Sequence, residues 1–250
     1  MIETTAIVLA AGKGTRMNSE LPKVLFPVLG RPMIHWVLDA LESAGINRMI
    51  VVVGYRNDLV RNALASRGVE FALQSEQLGT GHAVQMCKPL LATGTSPVLV
   101  VAGDSPMIQS SSVTELIQEF EKEDWSCLLG TLLKDNPEGL GRIVRDSEGR
   151  FLRIVEHKDA NPEELQLREV NMSTYLFKRT SLLWSLEKLK NNNSQAEYYL
   201  TDSPELLMQN GMNVDARPVL KACESLSINT VAELEMVESK MREMGYQCEN

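Results

Sequence analysis

The sequence has little of what marks secreted, membrane-spanning or nucleic-acid-binding proteins. Its four cysteines lie far apart without a C-x-x-C pair, so neither a disulfide framework nor a zinc site is expected. No apolar run approaches membrane-spanning length, and the Met1-Ile2-Glu3 start carries no basic region. The formal net charge of -8 argues against a general nucleic-acid binder, which usually has a basic face. We therefore expect a cytoplasmic protein with no membrane or nucleic-acid partner.

The composition is that of a core-forming globular protein, with 44% hydrophobic and 23% charged residues in 250 positions. Strands are predicted over residues 6–10, 49–53, 69–73, 98–102, 125–133, 142–146, 150–156 and 169–177. Helices are predicted over residues 32–44, 58–66, 80–91, 111–123, 180–189, 198–210 and 231–244, the fourth with an N-cap run of serines. The β-α-β-α order of the first half predicts an α/β fold, with a Rossmann-like, mostly parallel sheet and helices on both faces. The second half adds a β-hairpin around residues 147–149.

The stretch after the first strand combines small residues with cations. Gly12 and Gly14 can turn successive backbone N–H groups toward one point, which forms an anion-binding nest. Lys13, Arg16 and Lys23 add three positive charges around that point. The stretch therefore predicts a loop that binds a polyphosphate.

Two familiar phosphate motifs do not fit this stretch. A P-loop needs a Gly-Lys-Ser/Thr ending, whereas Lys13 precedes Gly14 here. The dinucleotide fingerprint needs a third glycine and an acid after the second strand. Met17 stands in place of that glycine, and the second strand ends in Gly54-Tyr55-Arg56. A phosphate-binding dehydrogenase is therefore excluded.

Two further segments follow predicted strands and should face the same crevice, because ligands of open α/β sheets bind at the carboxyl ends of strands. In residues 74–83, Gln74 offers a donor and an acceptor that match the edge of uracil, although a plain glycine turn explains the pattern as well. His82 alone is expected to cap or pack the helix. Asp104 follows an apolar strand and suits Mg²⁺, with a turn-capping role as the alternative.

The second half of the sequence holds three segments that could contact a hydroxylated ring: residues 138–143, 155–159 and 170–173. Glycine allows close approach of the backbone, and Glu and Asn supply hydrogen-bonding groups. On these residues alone, a solvated hairpin is the stronger interpretation.

Seven motifs together resemble those of the sugar-nucleotide pyrophosphorylases, specifically the N-acetylglucosamine-1-phosphate uridylyltransferases, which form the amino-terminal half of a bifunctional bacterial enzyme. The motifs are L-A-A-G-K-G-T-R-M (9–17), L-P-K-V-L (21–25), Q-S-E-Q-L-G-T-G-H-A (74–83), G-D-S-P (103–106), G-L-G-R-I (139–143), V-E-H-K-D-A (155–160) and N-N-N-S-Q-A-E-Y-Y-L-T-D (191–202). The resemblance extends from the first strand to about Asn229. The chain departs from the pattern at Met172 and Ser173, where the family has Thr-Gly, and at Ala102, where it often has an aromatic residue.

The resemblance implies a role for each matching position. It implies a UTP site formed by Leu9, Ala10, Ala11, Gly12, Lys23, Gln74, Gly79 and Thr80. It implies that Arg16 faces the leaving pyrophosphate, with Arg16 and Lys23 as catalytic residues. It implies that Asp104 and Asn229 hold Mg²⁺, and that Ala102, Gly103, Gly141, Glu156 and Asn171 surround the sugar.

The expected reaction is transfer of UMP from UTP to N-acetylglucosamine 1-phosphate. Another sugar 1-phosphate, such as glucose 1-phosphate, remains open, as does a regulatory subunit that binds nucleotide without turnover. The chain is expected to form one domain: about 1–110 for nucleotide, about 111–230 for sugar, and a helix at about 231–250. The hexapeptide repeats of the bifunctional enzyme do not occur in it, so acetyltransferase activity is not expected.

Overall fold

The computed structural model describes residues 2–14, 19–228 and 230–248. Its strands are β1 (Thr5–Ala10), β2 (Pro27–Val28), β3 (Arg31–Pro32), β4 (Arg48–Val53), β5 (Glu70–Leu73), β6 (Val98–Ala102), β7 (Cys127–Leu133), β8 (Gly141–Arg145), β9 (Phe151–Val155), β10 (Glu169–Phe177) and β11 (Val214–Arg217). Its α-helices are α1 (Met33–Ser43), α2 (Asn57–Ala63), α3 (Thr80–Gln85), α4 (Ser110–Phe120), α5 (Arg179–Lys188), α6 (Asp202–Gln209) and α7 (Val231–Glu243). Short 3-10 helices lie at Lys23–Leu25, Lys88–Leu91, Glu164–Gln166 and Ala222–Ser225.

One large sheet organises these elements in the order β11-β7-β10-β6-β1-β4-β5, with β8 paired to β10 and to β9. The strands β6, β1, β4 and β5 run parallel to one another, and β11 runs parallel to β7. Strand β10 is antiparallel to β6, β7 and β8. The predicted α/β sheet is confirmed, and its four neighbouring parallel strands, β6, β1, β4 and β5, come from the first half of the chain.

The parallel strands are buried on both faces. Val8 and Val51 belong to one apolar cluster, together with residues of α1 and α4, whereas their neighbours Ile7 and Ile50 belong to another, together with residues of α3 and α5. Since successive side chains of a strand point to opposite faces, both faces of β1 and β4 are covered by helices. This explains apolar runs without polar alternation. Within the described part of the chain, no helix is long and apolar enough to cross a membrane.

Three predicted features differ from the structure. The helix predicted over residues 80–91 ends at Gln85, and a 3-10 turn containing Pro89 follows it, because proline lacks the N–H needed to continue the helix. The helix predicted over residues 198–210 begins only at Asp202. The strand β11 was not predicted, because it is short and lies at the edge of the sheet. Asp215 and Arg217 alternate there with apolar residues, so the segment has no apolar run.

The predicted serine cap of α4 is also wrong. The N-cap position is Gln109, without a side-chain cap. The hydroxyl of Ser112 instead donates to a carboxylate oxygen of Glu224 at 2.5 Å, and the hydroxyl of Ser111 accepts from Nζ of Lys221 at 2.5 Å. The serines therefore connect α4 to the segment that precedes residue 229.

Candidate active site

The loops that follow β1, β4, β5 and β6 are joined by backbone hydrogen bonds at one edge of the sheet. The N–H of Gly103 donates to the carbonyl of Leu9 at 2.9 Å, and that of Tyr55 donates to the carbonyl of Ala11 at 3.1 Å. The N–H of Gln74 donates to the carbonyl of Val53 at 2.8 Å. Backbone hydrogen bonds therefore hold Leu9, Ala11 and Gln74, which are predicted to bind nucleotide, at the carboxyl ends of the parallel strands. Ligands of such sheets bind at this edge.

The loop that follows β1, residues 11–14, is called the glycine loop, and it packs directly on Lys23. Gly14 has a φ of +67°, and a Cβ placed on it would lie 2.7 Å from Cβ of Lys23, so only glycine fits this close approach. Gly12 is exposed and would have no atom within 4 Å of an added Cβ, which leaves its backbone open to a ligand. Of the three predicted cations, Lys13 places Nζ 5.2 Å from the centroid of the Tyr55 ring. Arg16 lies outside the described residues.

Lys23 also contacts the predicted metal ligand. Its Nζ lies 2.5 Å from Oδ2 of Asp104, directly beyond the end of β6. Gly103, between β6 and Asp104, has no room for a side chain, because a Cβ there would lie 2.8 Å from the carbonyl oxygen of Leu9. The sheet edge therefore brings the glycine loop, Lys23 and Asp104 together.

The residues around Asp104 fit a magnesium ion bound together with phosphates. Within residues 2–14, 19–228 and 230–248, no group of three or more His, Cys, Asp and Glu side chains could hold a metal by itself. Asp104 nevertheless offers a carboxylate, and Mg²⁺ commonly takes one or two such protein oxygens and completes its octahedron with water and phosphate oxygens. Asn229, the second predicted ligand, lies outside the described residues, and Ile228 before it is fully buried.

Gln74 is buried behind the loop that follows β5. Its Nε2 lies 3.1 Å from the carbonyl oxygen of Gly79 and 3.1 Å from Nδ1 of His82. When Nδ1 accepts, both N–H groups of the amide are engaged, so the carbonyl oxygen is the group left to accept from a base. His82 therefore packs against and orients Gln74, in line with the structural role predicted for it.

Residues 198–200, which we call the Tyr198 clamp, are hydrogen-bonded to this loop. The N–H of Tyr198 donates to the carbonyl of Leu78, and the N–H of Gly81 donates to the carbonyl of Tyr198, each at 2.8 Å. The hydroxyl of Thr80 accepts from the N–H of Leu200 at 3.1 Å. These bonds explain why residues 198–200 are not helical: their backbone groups pair with the loop.

Three of the five residues predicted to surround a sugar, Gly141, Glu156 and Asn171, lie close together where β8 pairs with β10. A Cβ placed on Gly141 would lie 3.6 Å from Oε2 of Glu156 and 3.6 Å from Cβ of Asn171. The amide nitrogen of Asn171 donates to the hydroxyl of Tyr175 at 2.7 Å, and its oxygen accepts from the N–H of Ser173 at 3.2 Å. The Asn171 side chain is therefore fixed, and each end of its amide keeps one further hydrogen-bonding site.

Ser173 takes the backbone shape that glycine adopts readily. Its φ is +54°, within an irregular part of β10 between Asn171 and Thr174. The chain path there is the one that glycine would follow, and serine holds it at a local conformational cost. Met172, the other departure from the family pattern, lines a small cavity together with Ala102 and Thr174. Ala102 thus pairs with Leu9 of β1 and faces a cavity shared with the irregular segment of β10.

Carboxylates around Glu156 make this side of the site electronegative. Burial raises the pKa of Glu156, with a hydrogen bond from Thr201 lowering it and the charge of Asp159 raising it. Burial, with the charges of Glu205, Glu156 and Asp159, raises the pKa of Asp202 to about 6. Glu156 is thus a half-buried acceptor whose partner, Thr201, directly follows the segment 198–200 that is bonded to the loop after β5.

Sequence reasoning missed the residues that support this site. Tyr175 fixes Asn171, Thr201 bonds Glu156, and Tyr198 holds the loop after β5. The E-Y-Y-L-T-D motif pointed to residues 197–202 without a role for them. No local pattern pointed to Tyr175, which reads as an ordinary core residue of β10.

Nucleotidyltransferases are the class that this fold and site define. Residues 6–193 match the family model of the MobA-like NTP transferase domain. The chain belongs to that family.

The curated relatives include three described as "Bifunctional protein GlmU". The protein of Exiguobacterium sibiricum is 44% identical over 95% of this chain and 53% of its own length. That of Clostridium perfringens (strain SM101) is 45% identical over 95% of this chain and 52% of its own. That of Geobacillus sp. (strain WCH70) is 41% identical over 97% and 53%. The chain therefore spans about half the length of these relatives.

A solved structure shares the fold. The crystal structure of UDP-glucose pyrophosphorylase complexed with UDP-glucose superposes with a TM-score of 0.77, at 19% identity, covering 98% of this chain and 100% of that one. At this identity the likeness shows the fold alone.

Proposed function

We propose that the chain catalyses the Mg²⁺-dependent transfer of UMP from UTP to N-acetylglucosamine 1-phosphate, giving UDP-N-acetylglucosamine and pyrophosphate. The observation that carries the proposal is the contact of the glycine loop with Lys23 and of Lys23 with Asp104 at the end of β6. The similarity to the GlmU proteins over about 95% of the chain supports the choice of substrates. On this proposal residues 1–250 act as one nucleotidyltransferase unit, with nucleotide bound by about 1–110 and sugar by about 111–230.

The backbone of the glycine loop would hold the UTP phosphates, because Gly12 is open and Gly14 has no side chain to block approach. Gln74 would accept from the uracil base through its free carbonyl oxygen. Gly79 and Thr80, fixed by the segment Tyr198–Leu200, would complete the nucleotide side.

The chemistry needs charge and position rather than a general base. The attacking group is a phosphate monoester whose second pKa is about 6, so at neutral pH it is already largely ionised. Lys23 would balance charge around the reacting phosphates, and Arg16 would stabilise the departing pyrophosphate. Asp104 and Asn229 would hold Mg²⁺, which supplies charge neutralisation and orientation of the phosphates when bound.

The sugar would lie against Gly141, between Glu156 and Asn171. Asn171 still has one N–H and one lone pair to offer, and Glu156 is an acceptor. An acetamide brings one donor and one acceptor that a buried site must pair. A sugar without it would leave partners unpaired, at a cost of about 1–3 kcal/mol for each group.

Two alternatives differ in what they predict. A transferase for another sugar 1-phosphate would prefer glucose 1-phosphate or a relative of it. A regulatory subunit without turnover would be expected to lack Arg16, Lys23 or Asp104, and the sequence contains all three.

A pyrophosphate-release assay with UTP and a panel of sugar 1-phosphates tests the proposal. We expect kcat/KM for N-acetylglucosamine 1-phosphate to exceed that for glucose 1-phosphate by about tenfold or more, the equivalent of 1.4 kcal/mol. Asn171→Ala should reduce this preference, whereas Asn62→Ala, at an exposed position of α2, should leave it unchanged. Equal values for the two sugars in the wild type would refute the assignment of N-acetylglucosamine.

A further inference from the structure

Tyr175 is a buried tyrosine of β10 that the proposed reaction does not use. Only 2% of its surface is exposed, and its ring stacks on that of Phe177 with the two centroids 5.9 Å apart. Both rings belong to the apolar cluster that also contains Ile143 and Ile154. A phenylalanine ring would fill this place as well, because apolar packing does not need the hydroxyl. The hydroxyl of Tyr175 therefore serves something other than packing.

That hydroxyl is bonded to the side chain of Asn171. It accepts from the amide nitrogen of Asn171 at 2.7 Å, and both residues are more than nine-tenths buried. Burial, with the charge of Glu156, raises the pKa of Tyr175, so the hydroxyl stays protonated at neutral pH. Tyr175 thus accepts from the amide without adding a second negative charge near Glu156.

The other end of the amide is held by the backbone. The oxygen of Asn171 accepts from the N–H of Ser173 at 3.2 Å, in the irregular part of β10 where Ser173 has a φ of +54°. A backbone N–H can only donate, so rotation of the amide by a half-turn would set two donors against each other. With Tyr175 accepting from the nitrogen, the amide has one orientation in which both of its ends are paired.

The held amide defines what is left for a ligand. Asn171 keeps one N–H and one lone pair, and Oε2 of Glu156 lies on the other side of Gly141. An acetamide carries its donor and its acceptor on separate atoms, whereas a hydroxyl has both functions on one oxygen. The separated groups of Asn171 and Glu156 therefore favour an acetamide for as long as Asn171 is held in place.

We propose that Tyr175 is a positioning residue that sets the preference for a 2-acetamido sugar, because its hydroxyl holds the amide of Asn171 in the orientation that pairs with the acetamide. The inference deepens the proposed function and rests on it, since it takes Asn171 as a sugar-binding residue. Without the hydroxyl, one buried N–H of the amide loses its partner and the side chain turns to find another. The loop after β5, which would bind the base, is held separately by the Tyr198 clamp.

Calorimetric titration with UDP-N-acetylglucosamine, UDP-glucose and UTP tests the inference without turnover. The wild type should bind UDP-N-acetylglucosamine more tightly than UDP-glucose by about tenfold. Tyr175→Phe keeps the ring and its stacking, and it should reduce this preference by about three- to tenfold while the Kd for UTP stays unchanged. Tyr246→Phe is the matched control: it removes the same group from a ring that packs on Trp36 beyond the end of α7, so the preference should stay at the wild-type value.

A double-mutant cycle tests whether Tyr175 acts through Asn171. In the background of Asn171→Ala, Tyr175→Phe should have no further effect on the preference. An effect of the same size in both backgrounds would overturn the positioning role. An equal loss of affinity for UTP and for UDP-N-acetylglucosamine would also overturn it, because such a loss reports general damage. Urea unfolding establishes that each variant is folded at the temperature of the titration.

The outcomes separate this inference from the function on which it rests. A wild type that binds both UDP-sugars equally would overturn the assignment of N-acetylglucosamine together with the inference. If the wild type has the preference and Tyr175→Phe keeps it, only the role of Tyr175 is overturned. If the preference falls in Tyr175→Phe but the wild type releases no pyrophosphate from UTP, the proposed catalysis is overturned and the inference stands.

Discussion

Substitution of Gly79 by alanine should damage both the stability of the protein and the proposed nucleotide site. Gly79 has a φ of +104°, and an added Cβ would lie 2.6 Å from the carbonyl oxygen of Tyr198 and 2.9 Å from Cβ of Glu197. That oxygen is fixed by its bond from the N–H of Gly81. The added Cβ would therefore clash with a backbone oxygen that cannot move without breaking the hydrogen bonds between residues 198–200 and the loop.

The cost has two parts. Holding a residue other than glycine at this backbone shape costs about 1–3 kcal/mol. Forcing a methyl group into a filled space costs about 1–3 kcal/mol more. We therefore expect Gly79→Ala to lower the free energy of unfolding by about 2–6 kcal/mol, a large part of the 5–15 kcal/mol typical of a domain.

Gly149→Ala is the matched control, because Gly149 has a φ of +80° but no atom within 4 Å of an added Cβ. It should show the first cost without the second. Urea unfolding of both variants, with calorimetric titration of UTP, measures the difference. If Gly79→Ala were as stable as Gly149→Ala and bound UTP like the wild type, the role of the Tyr198 clamp would be refuted.

Three further variants test other parts of the site. Asp104→Asn should abolish pyrophosphate release yet change the free energy of unfolding by about 1 kcal/mol or less, because its ion pair with Lys23 is partly exposed; full activity at low Mg²⁺ would contradict the metal assignment. Arg16→Ala should lower kcat by about 10²-fold, and a near-normal kcat would contradict its role. Asp202→Asn should stabilise the protein at pH 8 but little at pH 4. Because the folded state raises the pKa of Asp202 from 3.8 to about 6, wild-type stability falls as the pH rises between those values, and the neutral amide escapes this loss. Urea unfolding at both pH values measures the effect, and a gain independent of pH would contradict it.

The fold could be predicted where local pattern and tertiary environment agree. The apolar runs of β1 and β4 predict strands covered on both faces, and the sheet places them between β6 and β5. The helical prediction failed at Tyr198–Leu200, because the backbone groups there bond the loop after β5, more than a hundred residues earlier. No periodicity in the sequence indicates such a long-range pairing.

In the candidate site, too, residues within a local motif could be predicted, whereas residues whose roles depend on contacts in the folded protein could not. Gly14, Lys23 and Asp104 could be predicted because each belongs to a motif, and the structure brings them into contact. Tyr175 could not, since its role depends on a single hydrogen bond to Asn171 formed in the folded protein. A buried tyrosine has no sequence signature of such a role.

Uridylyl transfer itself is tested most directly by ³¹P NMR of the purified chain with Mg²⁺, UTP and N-acetylglucosamine 1-phosphate. We predict loss of the UTP and sugar phosphate signals, with pyrophosphate and a new sugar-linked diphosphate appearing in equal amounts. Asp104→Asn, under the same conditions, should leave both substrates unchanged. Release of UDP and inorganic phosphate, or of UMP and pyrophosphate without a sugar-linked product, would contradict the proposed reaction, as would unchanged substrates with the wild-type protein.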